Sequence, residues 1–162
     1  RLFNLNVKES VMRCMILMVS AMVLLLSGLV FAHCEIPCGI YGDDGRFTAL
    51  FEDITTIEKS MKLIQELGAE SDKNFNQIVR WVNNKEAHAD HIREVVAQYF
   101  LAQRIKEPEA GDAAAQKTYT AKLVKLHEII RTAMKCKQTT DMSNVKKLHD
   151  LVHEFQVLYE AK

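Results

Sequence analysis

The residues best suited to chemistry lie in one short stretch, residues 33–41, which reads HCEIPCGIY. We call this stretch the hook. Cys34 and Cys38 place two thiols four residues apart, and His33 directly precedes the first of them. Thiolates and imidazole are ligands that select transition metals rather than Mg²⁺ or Ca²⁺. The spacing therefore predicts a compact metal site built from neighbouring residues.

A chain that began at His33 would gain a further ligand, its free α-amine. That amine, the backbone nitrogen of Cys34 and the Cys34 sulfur can bind one ion through fused small chelate rings. Cys38 adds a second thiolate, while Pro37 fixes φ and Gly39 permits a positive φ, so the chain can bend back. A near-planar set of two nitrogens and two sulfurs, with imidazole above it, favours Ni(II) or Cu(II) over tetrahedral Zn(II).

The segment before the hook predicts that such a chain start is produced by cleavage. Residues 14–31 contain no charged side chain, Arg13 precedes them and Ala32 ends them. This is the order of an export signal, with Met12 a plausible start and residues 1–11 upstream sequence or an extended leader. We expect residues 1–32 to be removed, leaving residues 33–162 as the mature domain.

Two alternatives bear on the leader. Eighteen uncharged residues just reach across a bilayer of about 30 Å, but no basic stop-transfer cluster follows, so we expect no membrane association after cleavage. Export would place the protein in a periplasm, the extracellular space or an organelle lumen. A leader that is only a pro-segment would leave it cytoplasmic.

The elements that must position the hook are predicted to be four helices. Apolar residues recur at helical spacing over 46–67, from Ser71 to near Pro108, over 113–136, and from Asp141 or Ser143 onward. Four amphipathic helices with short connections predict an all-α four-helix bundle over about 46–161. The 21 basic residues equal the 21 acidic ones, which argues against a nucleic-acid partner.

The helices carry further histidines whose spacing bears on a second metal site. No histidine follows a glutamate by three residues, as di-iron bundles require. Two histidine pairs have a spacing that would let both imidazoles bind one metal ion, His88 with His91 and His149 with His153. We expect these histidines instead to lie at the surface or to be hydrogen-bonded. Cys14 would leave with the leader, and Cys136 is predicted to be a buried small apolar residue on the third helix.

The hook resembles the nickel-binding hook of nickel-containing superoxide dismutases, whose mature chains begin His-Cys-x-x-Pro-Cys-Gly-x-Tyr. All six fixed positions match, directly after a plausible cleavage site. The resemblance implies a small four-helix bundle, one nickel ion per subunit, a homohexamer and a maturation protease. It also implies superoxide as the small-molecule substrate, with nickel alternating between Ni(II) and Ni(III) to give dioxygen and hydrogen peroxide.

The resemblance carries roles onto particular residues. His33 would give the amine and the axial imidazole, Cys34 its backbone nitrogen and thiolate, and Cys38 the second thiolate. Tyr41 would stand over the open face of the metal, where its hydroxyl could hold substrate or a proton-delivering water. The peptide bond before Pro37 is a candidate for the cis form.

This sequence also departs from the family pattern. Glu35 replaces the commoner aspartate, which keeps the carboxylate. Gly42-Asp43-Asp44 replaces the Asp-Pro that often follows the tyrosine, so the path of the chain out of the hook is open. Candidate partners for the axial imidazole on the helices are Glu52, Lys85 and Glu86.

Two functions without catalysis remain alternatives. An exported helical carrier could bind nickel or copper through the same hook and not turn over superoxide. An exported interaction protein could instead hold a Cys34–Cys38 disulfide, which is common for paired cysteines outside the cytoplasm.

Overall fold

The structure is a computed structural model, and it describes residues 12–20 and 42–161. These belong to two compact units, Arg1–Glu35 and Ile36–Lys162, which are described separately. In the first unit, residues 12–20 form a helix, α1, whose side chains are exposed. Within the two described ranges, no helix is both long enough and apolar enough to cross a bilayer.

The second unit is a helical bundle, as predicted. Its helices are α2 (Asp44–Gly68), α3 (Ser71–Glu94), α4 (Ala113–Gln138) and α5 (Met142–Glu160), and a π-helix, the π segment (Val95–Arg104), extends α3. No strand occurs in residues 12–20 or 42–161. Over residues 42–161 the apolar stripes therefore predicted the all-α class and the four α-helices, but not the π segment.

The core consists of the stripes that the helical period places on the inner faces. Leu50 and Ile57 of α2, Ile92 of α3 and Leu148 of α5 are fully buried. Burying side chains of this size contributes roughly 1.5–3 kcal/mol each relative to exposure. The four helices are thus held together mainly by apolar burial.

Aromatic rings concentrate at the end of the bundle where α2 begins. Phe100 of the π segment meets Phe155 of α5 edge to face, with ring centroids 5.0 Å apart. Phe47 of α2 lies 5.1 Å from Phe100, and Tyr159 of α5 lies 5.7 Å from Phe47. Tilted and edge-to-face pairs at these distances are favourable beyond their buried area. The residues that follow the hook thus enter a closely packed end of the bundle.

Short polar signals fix the helix boundaries. The Asp141 carboxylate accepts a hydrogen bond of 2.9 Å from the backbone N–H of Ser143, so Asp141 is the residue that caps the last helix. The Asp112 carboxylate caps α4 in the same way, through Ala115 at 2.8 Å. At the other end of α2, Gly68 is the last helical residue, one residue beyond the predicted range of 46–67.

One expectation about the second helix needs correction. The apolar stripe predicted one helix running to near Pro108, but α-helical geometry ends at Glu94 and the π segment ends at Arg104. The backbone N–H of Ile105 donates to the Phe100 carbonyl, five residues earlier, at 2.9 Å. Bonds between residues five apart define the wider π turn, and an apolar stripe does not distinguish it from an α turn.

Candidate metal centre

The predicted ligands His33, Cys34 and Cys38, together with Tyr41, lie outside the described residues, so their roles stay predictions. The description resumes at Gly42, directly after the hook, with φ of 81°. This left-handed conformation favours glycine. The chain therefore leaves the hook through a turn that its sequence suits, and the next residue is Asp43.

Asp43 is held by three side chains, which with it form what we call the Asp43 cluster. Its carboxylate accepts a hydrogen bond from the hydroxyl of Tyr99, and another from the hydroxyl of Tyr159 at 2.5 Å. The Arg104 guanidinium donates to the same carboxylate through Nη2 at 2.8 Å. Only 13% of the Asp43 side chain is exposed. The first residues after the hook are thus tied to the π segment and to α5.

The π segment explains how two of these partners reach one carboxylate. Tyr99 and Arg104 are five residues apart, and in an α-helix the neighbouring side chains are three or four residues apart. A turn closed by bonds between residues five apart brings positions 99 and 104 onto one side. The wider turn therefore supplies a phenol and a guanidinium to the same carboxylate.

Charge and burial set the protonation of this cluster. Burial alone would raise the pKa of Asp43, but hydrogen bonds from Arg104, Tyr159 and Tyr99 hold that pKa below its ordinary value. Burial, then the hydrogen bond to Asp43, raises the pKa of Tyr99 to about 12. The hydrogen bond to Asp43 raises the pKa of Arg104. At neutral pH the cluster is therefore a carboxylate anion paired with a guanidinium and two neutral phenols.

Asp43 is the N-cap residue of α2, but only its backbone takes part in capping the helix. Its carbonyl accepts from the N–H of Arg46 at 2.9 Å, yet the Asp43 carboxylate makes no capping bond. Aspartate at this position ordinarily accepts from an N–H of the first helical turn. Its carboxylate instead accepts hydrogen bonds from Tyr99, Arg104 and Tyr159, which lie far along the chain.

A cavity of about 390 Å³ adjoins the cluster, and Arg104 and Tyr159 form part of its wall. Lys106 and Lys122 also line it, and the Lys122 ammonium lies 5.4 Å from the centre of the Tyr159 ring. Because Arg104 is neutralised by Asp43, the two lysines give the cavity its positive charge. Cationic groups are thus present at the end of the bundle that follows the hook.

The histidine pair at 88 and 91 is hydrogen-bonded, as expected. Nδ1 of His88 lies 2.7 Å from Oδ1 of Asp53, and Nδ1 of His91 lies 2.6 Å from Oδ2 of the same residue. Asp53 is buried, at 5% exposure. Within residues 12–20 and 42–161, no group of three His, Cys, Asp or Glu side chains could hold a metal ion.

The candidate partners of the axial imidazole have other surroundings. Lys85 is buried and donates to the carbonyls of Cys136 and Lys137 at 2.8 and 2.6 Å. Glu86 is 44% exposed and lies 3.9 Å from the Lys137 ammonium, while Glu52 is exposed on α2. A role for Glu52, Lys85 or Glu86 toward the hook stays a prediction.

The cysteine in the bundle matches its predicted character. Cys136 lies on α4 and is completely buried. Burial raises the pKa of its thiol to about 11, so the thiol is protonated and unreactive at neutral pH. Cys14 is exposed in α1.

Sequence reasoning missed the Asp43 cluster. Tyr99 and Tyr159 lie in the apolar stripes of their helices, and no local sequence pattern points to a role for Arg104. A buried tyrosine usually finds a partner for its hydroxyl, so two tyrosines in apolar stripes were the available signal. Which carboxylate they would meet was not readable, since 56 and 116 residues separate them from Asp43.

Comparison with known proteins gives one positive finding. The family model for nickel-containing superoxide dismutase matches residues 29–162. This range includes the hook and the whole bundle. No curated protein and no solved structure matches the chain.

Proposed function

The chain belongs to the nickel-containing superoxide dismutase family and is an oxidoreductase with a nickel cofactor, and we propose that the hook binds that nickel. The observation that carries the proposal is the hook sequence itself, within the range that the family model matches. The reaction converts two superoxide anions and two protons into dioxygen and hydrogen peroxide.

The chemistry of the hook residues fits nickel. Thiolates from Cys34 and Cys38 are soft, strongly donating ligands, and together with nitrogen ligands from the amine of His33 and the backbone of Cys34 they would suit Ni(II). Thiolate donation also lowers the potential of a higher oxidation state. When bound, nickel supplies the one-electron couple between Ni(II) and Ni(III) that oxidises one superoxide and reduces the next.

Besides the thiolates, two residues of the hook and one cavity of the bundle have roles in the proposed reaction. The His33 imidazole would be a further nitrogen ligand of the nickel, and the Tyr41 hydroxyl would hold substrate or deliver a proton. The positive cavity beside the Asp43 cluster supports the approach of an anion, because cationic side chains raise the local concentration of anionic substrates. The protein thereby tunes the metal, supplies protons and guides superoxide.

Maturation is part of the proposed mechanism. While Ala32 is joined to His33, the His33 nitrogen is an amide and cannot serve as the amine ligand. A protease that cuts after Ala32 would therefore create the site as well as remove the leader. The leader directs export if it is a signal peptide, and the enzyme is cytoplasmic if the leader is only a pro-segment.

Assembly into a homohexamer is also proposed, from the resemblance of the hook to its family. Apolar side chains on the bundle surface support it, among them Phe75 at 69%, Val157 at 59% and Val124 at 52% exposure. Light scattering of the mature protein measures the assembly directly. A mass of one subunit would contradict it.

The decisive experiment compares two forms of the protein that differ by one residue. The first begins at His33, and the second carries one alanine before it; both are refolded with nickel and assayed for superoxide turnover. We expect turnover and one nickel per chain from the first form. In the second form the His33 nitrogen is an amide, so we expect turnover to fall at least about a hundredfold, which corresponds to about 2.7 kcal/mol of activation free energy. Equal turnover would refute the amine ligand.

The thiols are tested by substitution. Cys34→Ser and Cys38→Ser are each expected to abolish nickel binding and turnover, with Cys136→Ala as the matched control that keeps both. Mass spectrometry of the wild-type chain distinguishes the alternatives. Bound nickel without turnover would identify a carrier, and a mass loss of two hydrogens would identify a disulfide.

A further inference from the structure

We propose that Asp43 is a positioning residue for the hook, because it ties the chain two residues after the hook to the π segment and α5 before nickel binds. The inference rests on the proposed function of the hook and adds a residue outside the hook to it. In this role Asp43 contacts neither the metal nor the substrate. It acts through the chain to which it is attached.

The covalent connection between Asp43 and the hook is short. Gly42 alone separates Asp43 from Tyr41, and consecutive Cα atoms are about 3.8 Å apart, so the Tyr41 Cα lies within about 8 Å of the Asp43 Cα. The same rule keeps the Cα of Cys38 within roughly 19 Å. A fixed Asp43 thus restricts where the second thiolate and the tyrosine can be.

Asp43 is firmly fixed. Its carboxylate accepts from two phenol hydroxyls and a guanidinium, and hydrogen bonds with a charged partner are the stronger kind. The donors come from two elements, the π segment with Tyr99 and Arg104, and α5 with Tyr159. Moving the end of the hook would require breaking these bonds in a largely buried place.

Helix capping does not account for the carboxylate. Asp112 and Asp141 occupy the equivalent position of α4 and α5, and both use their carboxylates to cap the first turn. Asp43 begins α2 but leaves that turn uncapped by its side chain. The fold uses this carboxylate to fix the point where the chain enters the bundle, and fixing it lowers the conformational entropy that nickel binding must remove.

The test measures nickel affinity of the mature, metal-free protein. Asp43→Asn keeps the shape of the side chain and removes its charge, and we expect the Kd for nickel to rise about tenfold, a change worth about 1.4 kcal/mol. The matched control is Asp90→Asn, which removes another carboxylate with two cationic partners, Arg93 at 2.7 Å and Lys137 at 2.5 Å. The control is expected to keep the wild-type Kd.

Two further measurements keep the test decisive. Tyr159→Phe removes one hydrogen-bond donor to Asp43 and leaves the carboxylate in place. It tests the same role if Asp43→Asn does not fold, and we expect a smaller rise in the Kd for nickel, of about threefold. The electron paramagnetic resonance spectrum of the oxidised protein should change in Asp43→Asn and not in Asp90→Asn. Circular dichroism confirms that each variant is folded.

The outcomes separate this inference from the proposed function. Folded Asp43→Asn with the wild-type Kd and spectrum would overturn the positioning role and leave the hook as the nickel site. Equal weakening by Asp43→Asn and Asp90→Asn would also overturn it, since the effect would then be general destabilisation. A wild-type mature chain that binds no nickel would overturn the proposed function itself.

Discussion

The ε-ammonium group of Lys85 lies 2.8 Å from the carbonyl oxygen of Cys136, 51 residues further along the chain. The same group donates to the carbonyls of Lys137 and Thr139, at 2.6 and 3.2 Å. The last carbonyls of a helix have no partner within it and carry partial negative charge. One buried lysine of α3 therefore satisfies the carboxyl end of α4.

Lys85→Met is expected to destabilise the bundle by about 2–3 kcal/mol. Methionine fills similar space but leaves buried carbonyl oxygens without a donor, which is the costly outcome when one partner of a hydrogen bond is removed. Urea unfolding at neutral pH measures the change. Lys62→Met is the control, since Lys62 pairs with Glu58 at the surface with 55% of its side chain exposed, and its loss should cost at most about 0.5 kcal/mol. Equal effects would contradict the capping role.

Asp53→Ala is expected to cost about 2 kcal/mol, because both His88 and His91 lose the buried acceptor of their Nδ1 atoms. Asp53→Asn should cost less, since an amide can still bond to both rings. The exposed neighbour Glu52 supplies the control, and Glu52→Ala should stay within about 0.5 kcal/mol of wild type. A neutral Asp53→Ala would show that the two imidazoles are satisfied by water.

Tyr99 predicts a loss of stability in alkali. Its pKa is about 12 in the folded protein against an ordinary value of 10.0. Because the folded-state pKa is the higher one, the stabilisation is complete below about pH 10 and is lost as pH rises from there to 12. Tyr99→Phe should be less stable than wild type by about 1 kcal/mol at pH 8, and the difference should shrink above about pH 10 and reverse in sign by about pH 12, because only the wild type loses stability over that range. A difference that stays constant over that range would refute the raised pKa.

Cys136 is expected to resist alkylation in the native protein. Its thiol is fully buried and its pKa is raised to about 11, so little thiolate is present at pH 8 and reagents cannot reach it. Iodoacetamide labelling followed by mass spectrometry should modify Cys136 only after unfolding in urea. Labelling of Cys136 in the folded protein as fast as that of an exposed thiol would contradict the burial of this residue.

Much of the fold was predictable because it depends on local pattern. The apolar stripes predicted the helices, since a helix with one apolar face must bury that face. Asp141 predicted a boundary because capping depends on residues near the boundary itself. Cys136 was predicted to be buried from its place on the third helix.

The candidate site divides in the same way. The candidate ligands His33, Cys34 and Cys38 could be predicted from the sequence because they are near neighbours, so chelation would depend on spacing along the chain. The contacts of Asp43 could not be predicted, because Asp43 meets Tyr99, Arg104 and Tyr159 across 56, 61 and 116 residues. No local pattern specifies which of many polar side chains meet when helices pack.

The sequence by itself determined the all-α class and the α-helices and led to the proposed nickel ligands, since periodicity and ligand spacing are properties of consecutive residues. Tertiary structure alone decided that α3 widens into the π segment at Val95, that Lys85 caps α4, and that Asp43 is tied to two distant elements. These features arise from packing between helices, where a buried polar group must find a partner wherever the fold places one.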